Sequence, residues 1–578
     1  MKKQLMATLA LAAFAGGLLA PALAAPRPAT PRSAALPTPV PSPHLPVVPS
    51  VAPGYAGPDV VPASPDLVGI TAQPFVGITL QDAIGMALLK NPSLAVAASN
   101  ARIAGYQIVA AKGTFDTQFM LEPSFTHVTQ APQNAFFAGP NFGPIVQNIA
   151  KLQAGVSGQL PSGTQYRASL SSSKTDDNTL INSFDPYYPS TLQLQVSQPL
   201  LRDNGENAAK HQLELAVVNA DVSQASALAA ASQTLSQVSD AYWDLVAAWR
   251  NVAIQEEALR EAVAQQGSEV RLAKQGAAAN VDAIESSGQV AAFQQDVYSS
   301  LQAVAQLQNQ LKSLVVDDPA DPIWRANLVP TSSVLALPAQ PSLDTLVATA
   351  IKQRPEVRQV ADAQLQAALD LKFAKNQALP KVNLQLGYSS NGFAGQPTDS
   401  SSLAGFGPAP TIPPYLIGNA GQSLSNTFNN KFPTYNIGVL FSEPIGNHTG
   451  KANVAIAQEQ EQIAAIQGSG LYARIQTEAR NALQGYQSAL AQLHSARIAR
   501  QDDEQVFASE ARKFRNGEST TFLVLQRQVE LAQSRGRELQ AQTNLNKAVV
   551  ELQRVSGDIL AANGVDLTAL GSKATPSP

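Results

Sequence analysis

The side chains that most often do chemistry are scarce and scattered in this chain. Its histidines are His44, His127, His211, His448 and His494, and none stands at His-x3-His spacing or beside a glutamate at ligand spacing. Each reads as an ordinary surface or loop residue. Cysteine is absent, which excludes disulfides, thiolate metal sites, a cysteine nucleophile and a lipid-anchored N-terminal cysteine. Asp176 and Asp177 in "KTDDN" are adjacent carboxylates that could touch a cation, but the stretch reads as a solvated loop. No glycine loop is built to cradle phosphate, so energy for any transport must come from a partner. A net charge of -4 over 578 residues leaves no footprint for nucleic acid. No catalytic, cofactor-binding or metal-ligating constellation is expected.

What recurs instead are residues that direct the backbone. In "LQLQVSQPLLRDNGENAAKHQLELA" (192–216) apolar and polar residues alternate up to Pro199, and after Gly205 the chain reads as helix. In "YNIGVLFSEPIGNHTGKANVAIA" (435–457) Ser442 and Pro444 stand where Ser197 and Pro199 stood. Proline has no donor for a strand ladder and is excluded from a helix interior, so it suits a strand-to-helix transition.

The elements around these junctions are unusual. Residues 207–266 hold no proline and little glycine, enough for one helix of about 60 residues and roughly 90 Å. Residues 450–513 are comparable. Leu235, Val238, Tyr242, Leu245, Trp249 and Val252 keep a 3-4 spacing, as do Leu483, Tyr486, Leu490 and Leu493, which predicts a coiled-coil seam. The remaining faces are mainly Ala, Gln and Ser, which allow close helix packing and suit a wetted wall. Strands are predicted at 118–128, 152–160, 165–173 and 191–198, with "LPSGT" (160–164) as a tight turn. The second half offers 381–389 and 435–441, with a Gly-, Ser-, Asn- and Pro-rich loop over 390–431.

The order of these parts repeats. "TLQDAIGMALLKNPSL" (79–94) matches "SLDTLVATAIKQRPEV" (342–357), the Ser-x-Pro junctions follow, and then "AKQGAAANVDAIESSGQV" (273–290) matches "FRNGESTTFLVLQRQVEL" (514–531). This predicts two copies of one supersecondary unit. Lys2 and Lys3, an apolar run over 5–20 and an Ala-x-Ala site at Ala22–Ala24 read as a secretory signal. The expected division is a signal peptide (1–24), a Pro-rich disordered leader (25–77), a first repeat (78–338), a second repeat (339–557) and a flexible tail (558–578). No later stretch has about 18 consecutive apolar residues, so a spanning helix is not expected. A barrel strand needs only about 9–11 alternating residues. The few strands cannot close a wide barrel alone, and open edges do not occur in lipid, so several copies must complete the sheet.

In this arrangement the chain resembles the TolC family of outer-membrane efflux proteins. The resemblance spans about 79–557 and rests on the duplicated order, on "SQPLL" and "SEPIG" at the junctions, and on G-x5-D-A after Gly276 and G-x6-V-L after Gly517. It implies a mixed α+β membrane protein: a homotrimer in which each protomer gives four strands to a 12-stranded transmembrane β-barrel, continued by a periplasmic α-helical barrel. It implies contact with outer-membrane lipid, a periplasmic adaptor and an inner-membrane transporter, and a passive exit duct for efflux or type I secretion. Pro199 and Pro444 would mark the strand-to-helix junctions. Gly276 and Gly517 would mark helical-hairpin tips, where an adaptor docks and the tunnel opens, or else plain helix-terminating turns. Two departures stand out. The hairpin around "LPSGT" is additional, and it is expected to lengthen the extracellular end without widening the barrel. The acid that family members often carry six residues after the helix break is Asp282 in the first half but Leu523 in the second. The competing reading is an exported coiled-coil scaffold or adhesin without a pore; an enzyme is a distant third.

Overall fold

The computed structural model describes residues 75–132, 139–179, 182–277, 279–332, 341–398 and 411–564. The signal and most of the leader, and the tail from 565 onward, lie outside the described residues. The described residues begin with strand β1 (Phe75–Ile78), which starts inside the stretch assigned to the leader. Helices α1 (Leu80–Lys90) and α2 (Pro92–Lys112) follow. Strands β2 (Gln118–Gln130), β3 (Ile145–Gln159), β4 (Gln165–Asp177) and β5 (Phe184–Pro199) come next. Then come α3 (Ala208–Lys274), α4 (Asn280–Val315) and β6 (Asn327–Pro330). The second half runs through α5 (Leu343–Gln353), α6 (Pro355–Gln377), β7 (Lys381–Pro397), α7 (Ala420–Phe428) and β8 (Phe432–Ser442). It ends with α8 (His448–Arg515), α9 (Thr521–Ser556) and α10 (Ile559–Ala562). Helices α2 and α6 were not separated by sequence pattern. Helix α10, in the stretch expected to be a flexible tail, buries Ile559 and Leu560.

Local chemistry explains where the helices start. Thr79 caps α1 through Asp82 N–H while the Asp82 carboxylate accepts from Thr79 N–H, and Ser342 caps α5 through Thr345 N–H. Pro92 and Pro355 open α2 and α6, where a missing N–H costs nothing. The two long helices have 67 and 68 residues, and the helices after them 36 each. Side by side, α2, α3, α6 and α8 form one layer in that order, and α4 and α9 flank α3 further along.

The core is a stripe along α3. Leu235, Val238, Tyr242, Leu245, Trp249 and Val252 are all buried, packed with Val290, Phe293 and Val297 of α4. On α8, Tyr486 and Leu493 are buried within the chain and Leu483 packs against them, whereas Leu490 is 39% exposed. Strands β1 and β6 pair in parallel and hang from α3. Tyr242 Oη–H donates to Ile78 O (3.1 Å), Tyr242 Oη accepts from Ser332 N–H (3.0 Å), and Trp249 Nε1–H donates to Leu328 O (2.9 Å). Among the described residues no helix is long and apolar enough to cross a membrane.

Candidate functional site

Six strands form one antiparallel sheet in the order β2-β3-β4-β5-β7-β8. Successive side chains point to opposite faces, so directly opposed residues define rows. One row is Phe119, Val156, Ala168, Leu194, Tyr388 and Tyr435; the next is Gln118, Ser157, Arg167, Gln195, Gly387 and Asn436. The wall therefore has one apolar and one polar face through all six strands. The apolar face is open, with Phe119 71% and Ile437 78% exposed. The polar face curls around a trough of about 730 Å³ lined by Arg167, Gln193, Gln195, Gln385, Ser389 and Asn436. That pairing of faces can separate lipid from water.

Three expectations fail in the sheet. The "LPSGT" hairpin is not an extracellular extension, because β3 and β4 pair along the full height between β2 and β5. Its turn sits at the helical end: Gly205 N–H donates to Ser162 O (3.0 Å) and Asn207 Nδ2–H to Pro161 O (2.9 Å), just before α3. The 390–431 stretch is not all loop, since β7 runs to Pro397 and α7 packs on the sheet. Ser390 Oγ donates to Thr427 O, and a Cβ on Gly392 would lie 2.1 Å from Ser423 O, so only glycine lets α7 approach. Asp176 and Asp177 end β4 instead of lying in a loop, and Asp177 accepts from Gln147 Nε2 (2.7 Å).

At the junctions, Pro199 is the last residue of β5 and Pro444 lies between β8 and α8. Leu200 N–H donates to Val382 O (2.7 Å), tying the first exit to the start of β7. Asn207 then caps α3 through Lys210 N–H (3.0 Å). Glu206 is held below the usual carboxylate range: burial opposes this, but hydrogen bonds from Lys372 and Lys210 outweigh it. His211, expected at the surface, is buried, stacked on Phe373 and 3.0 Å from Asp370.

The two helix breaks share one geometry. Gly276 (φ 72°) and Gly517 (φ 77°) adopt the left-handed conformation. Ala277 N–H bonds Leu272 O and Glu518 N–H bonds Lys513 O, both at 2.9 Å, while each glycine N–H bonds the carbonyl three residues back. These are matching Schellman turns. Asp282 and Leu523 occupy the same third position of α4 and α9. The Asp282 carboxylate accepts from Ala279 N–H (3.3 Å), whereas Thr520 Oγ1 accepts from Leu523 N–H (3.4 Å), so each helix start uses a different half of a capping box. Thr521 Oγ1 donates to Glu269 Oε1 (3.0 Å), which brings the start of α9 against the end of α3. Exposed apolar side chains that the sequence reading missed surround the breaks: Val281, Ile284 and Phe522, the last 63% exposed.

Charges concentrate where α3, α8 and α9 meet. Arg535 pairs with Glu257 (3.2 Å) and Glu504 (3.4 Å), and Arg500 pairs with Glu504 (2.6 Å) and Glu538. Burial pushes Asp240 up to about 6 and Glu256 up to about 8. Among the described residues no group of three or more metal-ligating side chains converges.

No protein-family model and no curated protein sequence matches the chain. Solved structures do. The outer membrane channel CmeC of Campylobacter jejuni is 14% identical with a TM-score of 0.60, covering 91% of this chain and 98% of its own. The outer membrane protein VceC of Vibrio cholerae gives 15%, 0.57, 83% and 96%. The MtrE outer membrane channel of Neisseria gonorrhoeae gives 16%, 0.56, 89% and 97%. The chain thus has the fold of the outer-membrane channels, the fold that its resemblance to the TolC family implies.

Proposed function

We propose that this protein is an outer-membrane exit duct of the TolC type, a passive channel without catalytic activity. In this reading two copies of one unit (α1–β5–α3–α4 and α5–β8–α8–α9) form the protomer. Three protomers complete the barrel in lipid and a helical tunnel in the periplasm. The single observation that carries it is the two-faced sheet whose strands continue, through Pro199 and Pro444, into helices of 67 and 68 residues. A soluble coiled-coil scaffold has no use for an open apolar sheet face. The breaks at Gly276 and Gly517 form the periplasmic mouth. Val281, Ile284 and Phe522 offer the apolar contacts for an adaptor protein, which links the duct to an inner-membrane transporter that supplies the energy.

Extraction and mass test this reading. The protein should remain in the outer-membrane fraction after a high-salt wash, leave it only with detergent, and show the mass of three chains. Reconstituted into planar bilayers it should conduct ions. A salt-extractable protein, or a monomer in mild detergent, would refute it.

A further inference from the structure

We propose that each protomer contributes six strands to the wall, not four, with β8 pairing to β2 of a second copy, so that three copies close an 18-stranded barrel. This rests on the trimeric outer-membrane reading above.

The hairpin strands carry the same two-faced pattern as their neighbours. Leu152, Ala154 and Val156 of β3, and Ala168 and Leu170 of β4, alternate with Gln153, Ser157, Arg167 and Ser169. Their apolar residues lie in rows with those of β2 and β5. A hairpin standing above the membrane would present that apolar face to water. The turn at 160–164 points the other way, bonded to residues 205 and 207 at the head of α3.

The helical layer accommodates six strands. Below the sheet lie four helices, α2, α3, α6 and α8. From α2 to α8 are three helix spacings, about 24–30 Å. From β2 to β8 are five strand spacings of about 4.8 Å, which become about 31 Å around a wall tilted by ~40°. Six tilted strands therefore fit over four helices, and β3 and β4 are the two strands that continue into no helix.

Among the described residues both sheet edges are unpaired, and β2 and β8 run antiparallel, as the two ends of an antiparallel sheet with an even number of strands must. Each carries apolar residues on the same face, Phe119, Leu121 and Phe125 on one and Tyr435, Ile437 and Val439 on the other. An open edge in lipid leaves its backbone groups unsatisfied. A second copy continues both ladder and polarity across the seam. Barrels of about 16–18 strands enclose a water-filled lumen, so the outer pore is wide.

Introduced cysteines test the strand order cleanly, because the chain has none of its own. Met120, Gly155, Ser169 and Gln193 share one row on the polar face. In the full-length protein in outer membranes, Ser169→Cys with Gln193→Cys should form a disulfide within the chain. Met120→Cys with Gln193→Cys should not, since three strand spacings are about 14 Å, beyond disulfide reach. Gln118→Cys scanned against Thr434→Cys, Asn436→Cys and Gly438→Cys should link neighbouring copies into a covalent trimer. A Met120–Gln193 link without a Ser169–Gln193 link would overturn the six-strand unit while leaving the trimer intact. A Ser169–Gln193 link in a particle of another mass would overturn the 18-strand closure together with the trimeric reading.

Discussion

At the residue scale, the two helix breaks carry the same backbone turn but different chemistry. If, as proposed, the breaks at Gly276 and Gly517 mark the periplasmic mouth of a trimer, Asp282 would supply a ring of three carboxylates there and Leu523 an apolar ring nearby. Like charges in a ring repel one another and attract cations. Asp282→Asn is expected to lower cation preference in single-channel recordings, and Leu523→Ser to raise conductance by wetting the constriction. Both effects should be modest, because one half alone supplies an acid. Asn can still accept from Ala279 N–H, so the helix start survives; unchanged selectivity and conductance in both variants would place the mouth elsewhere. Glu256 makes a pH prediction. Both of its carboxylate oxygens are buried without a hydrogen-bond partner, and burial pushes its carboxyl up to about 8 from an ordinary 4.5. The folded state then binds a proton that the unfolded chain has released. This group costs no stability below pH 4.5, erodes it progressively as pH rises to about 8, and leaves the loss constant above that. Glu256→Gln should flatten this decline in the thermal midpoint, with a midpoint above that of the unaltered protein at alkaline pH. A parallel decline in both proteins would show that Glu256 is not the group responsible.

At the element scale, α3 is the beam from which the rest hangs. Its buried stripe faces α4, and its Tyr242 and Trp249 also hold the short parallel pair β1–β6. Tyr242→Phe removes one donor and one acceptor, leaving Ile78 O and Ser332 N–H without that partner. The expected loss is about 1–3 kcal/mol, felt as faster amide exchange in β1 and β6 with α8 unaffected. Equal exchange in both proteins would mean that water replaces the hydroxyl. The helix starts show how weak local signals are shared out. Asp282 without a capping side chain at 279, and Thr520 without an acid at 523, each supply half of one motif.

At the scale of the whole molecule, the faces of the sheet decide where each side chain can change. Ile437 lies on the apolar face and Asn436, its neighbour, on the polar one. If the sheet spans lipid, Ile437→Lys should reduce the amount of assembled protein in the outer membrane, by about 2–4 kcal/mol per chain at mid-depth. Asn436→Lys should assemble normally. A soluble scaffold would tolerate both, since both sites are then surface positions; equal assembly of the two variants would therefore argue against a membrane wall.

Much of this architecture is set by local chemistry and so was legible in one sequence. Alternation fixed the six strands to within a few residues at their helical ends, because side-chain period two reports a wall with unlike faces. Freedom from proline marked the long helices, and Ser-x-Pro and glycine marked their ends, because these residues act on their own backbone. What stayed hidden depends on partners distant in sequence. Strands β1 and β6 are four residues each, too short for any period, and exist through Tyr242 and Trp249 some 80–160 residues away. Helix α7 lies in a stretch whose composition reads as loop, and its place depends on Gly392 leaving room. His211 owes its burial to Phe373 and Asp370 across the helix layer. Leu490 kept the spacing of a seam but is left partly exposed by the described residues of its own chain. The hairpin at 160–164 was visible as a turn, but its direction was not. A turn reverses the chain without saying which end of the sheet it faces, and only the contacts of residues 161 and 162 with the head of α3 decided that.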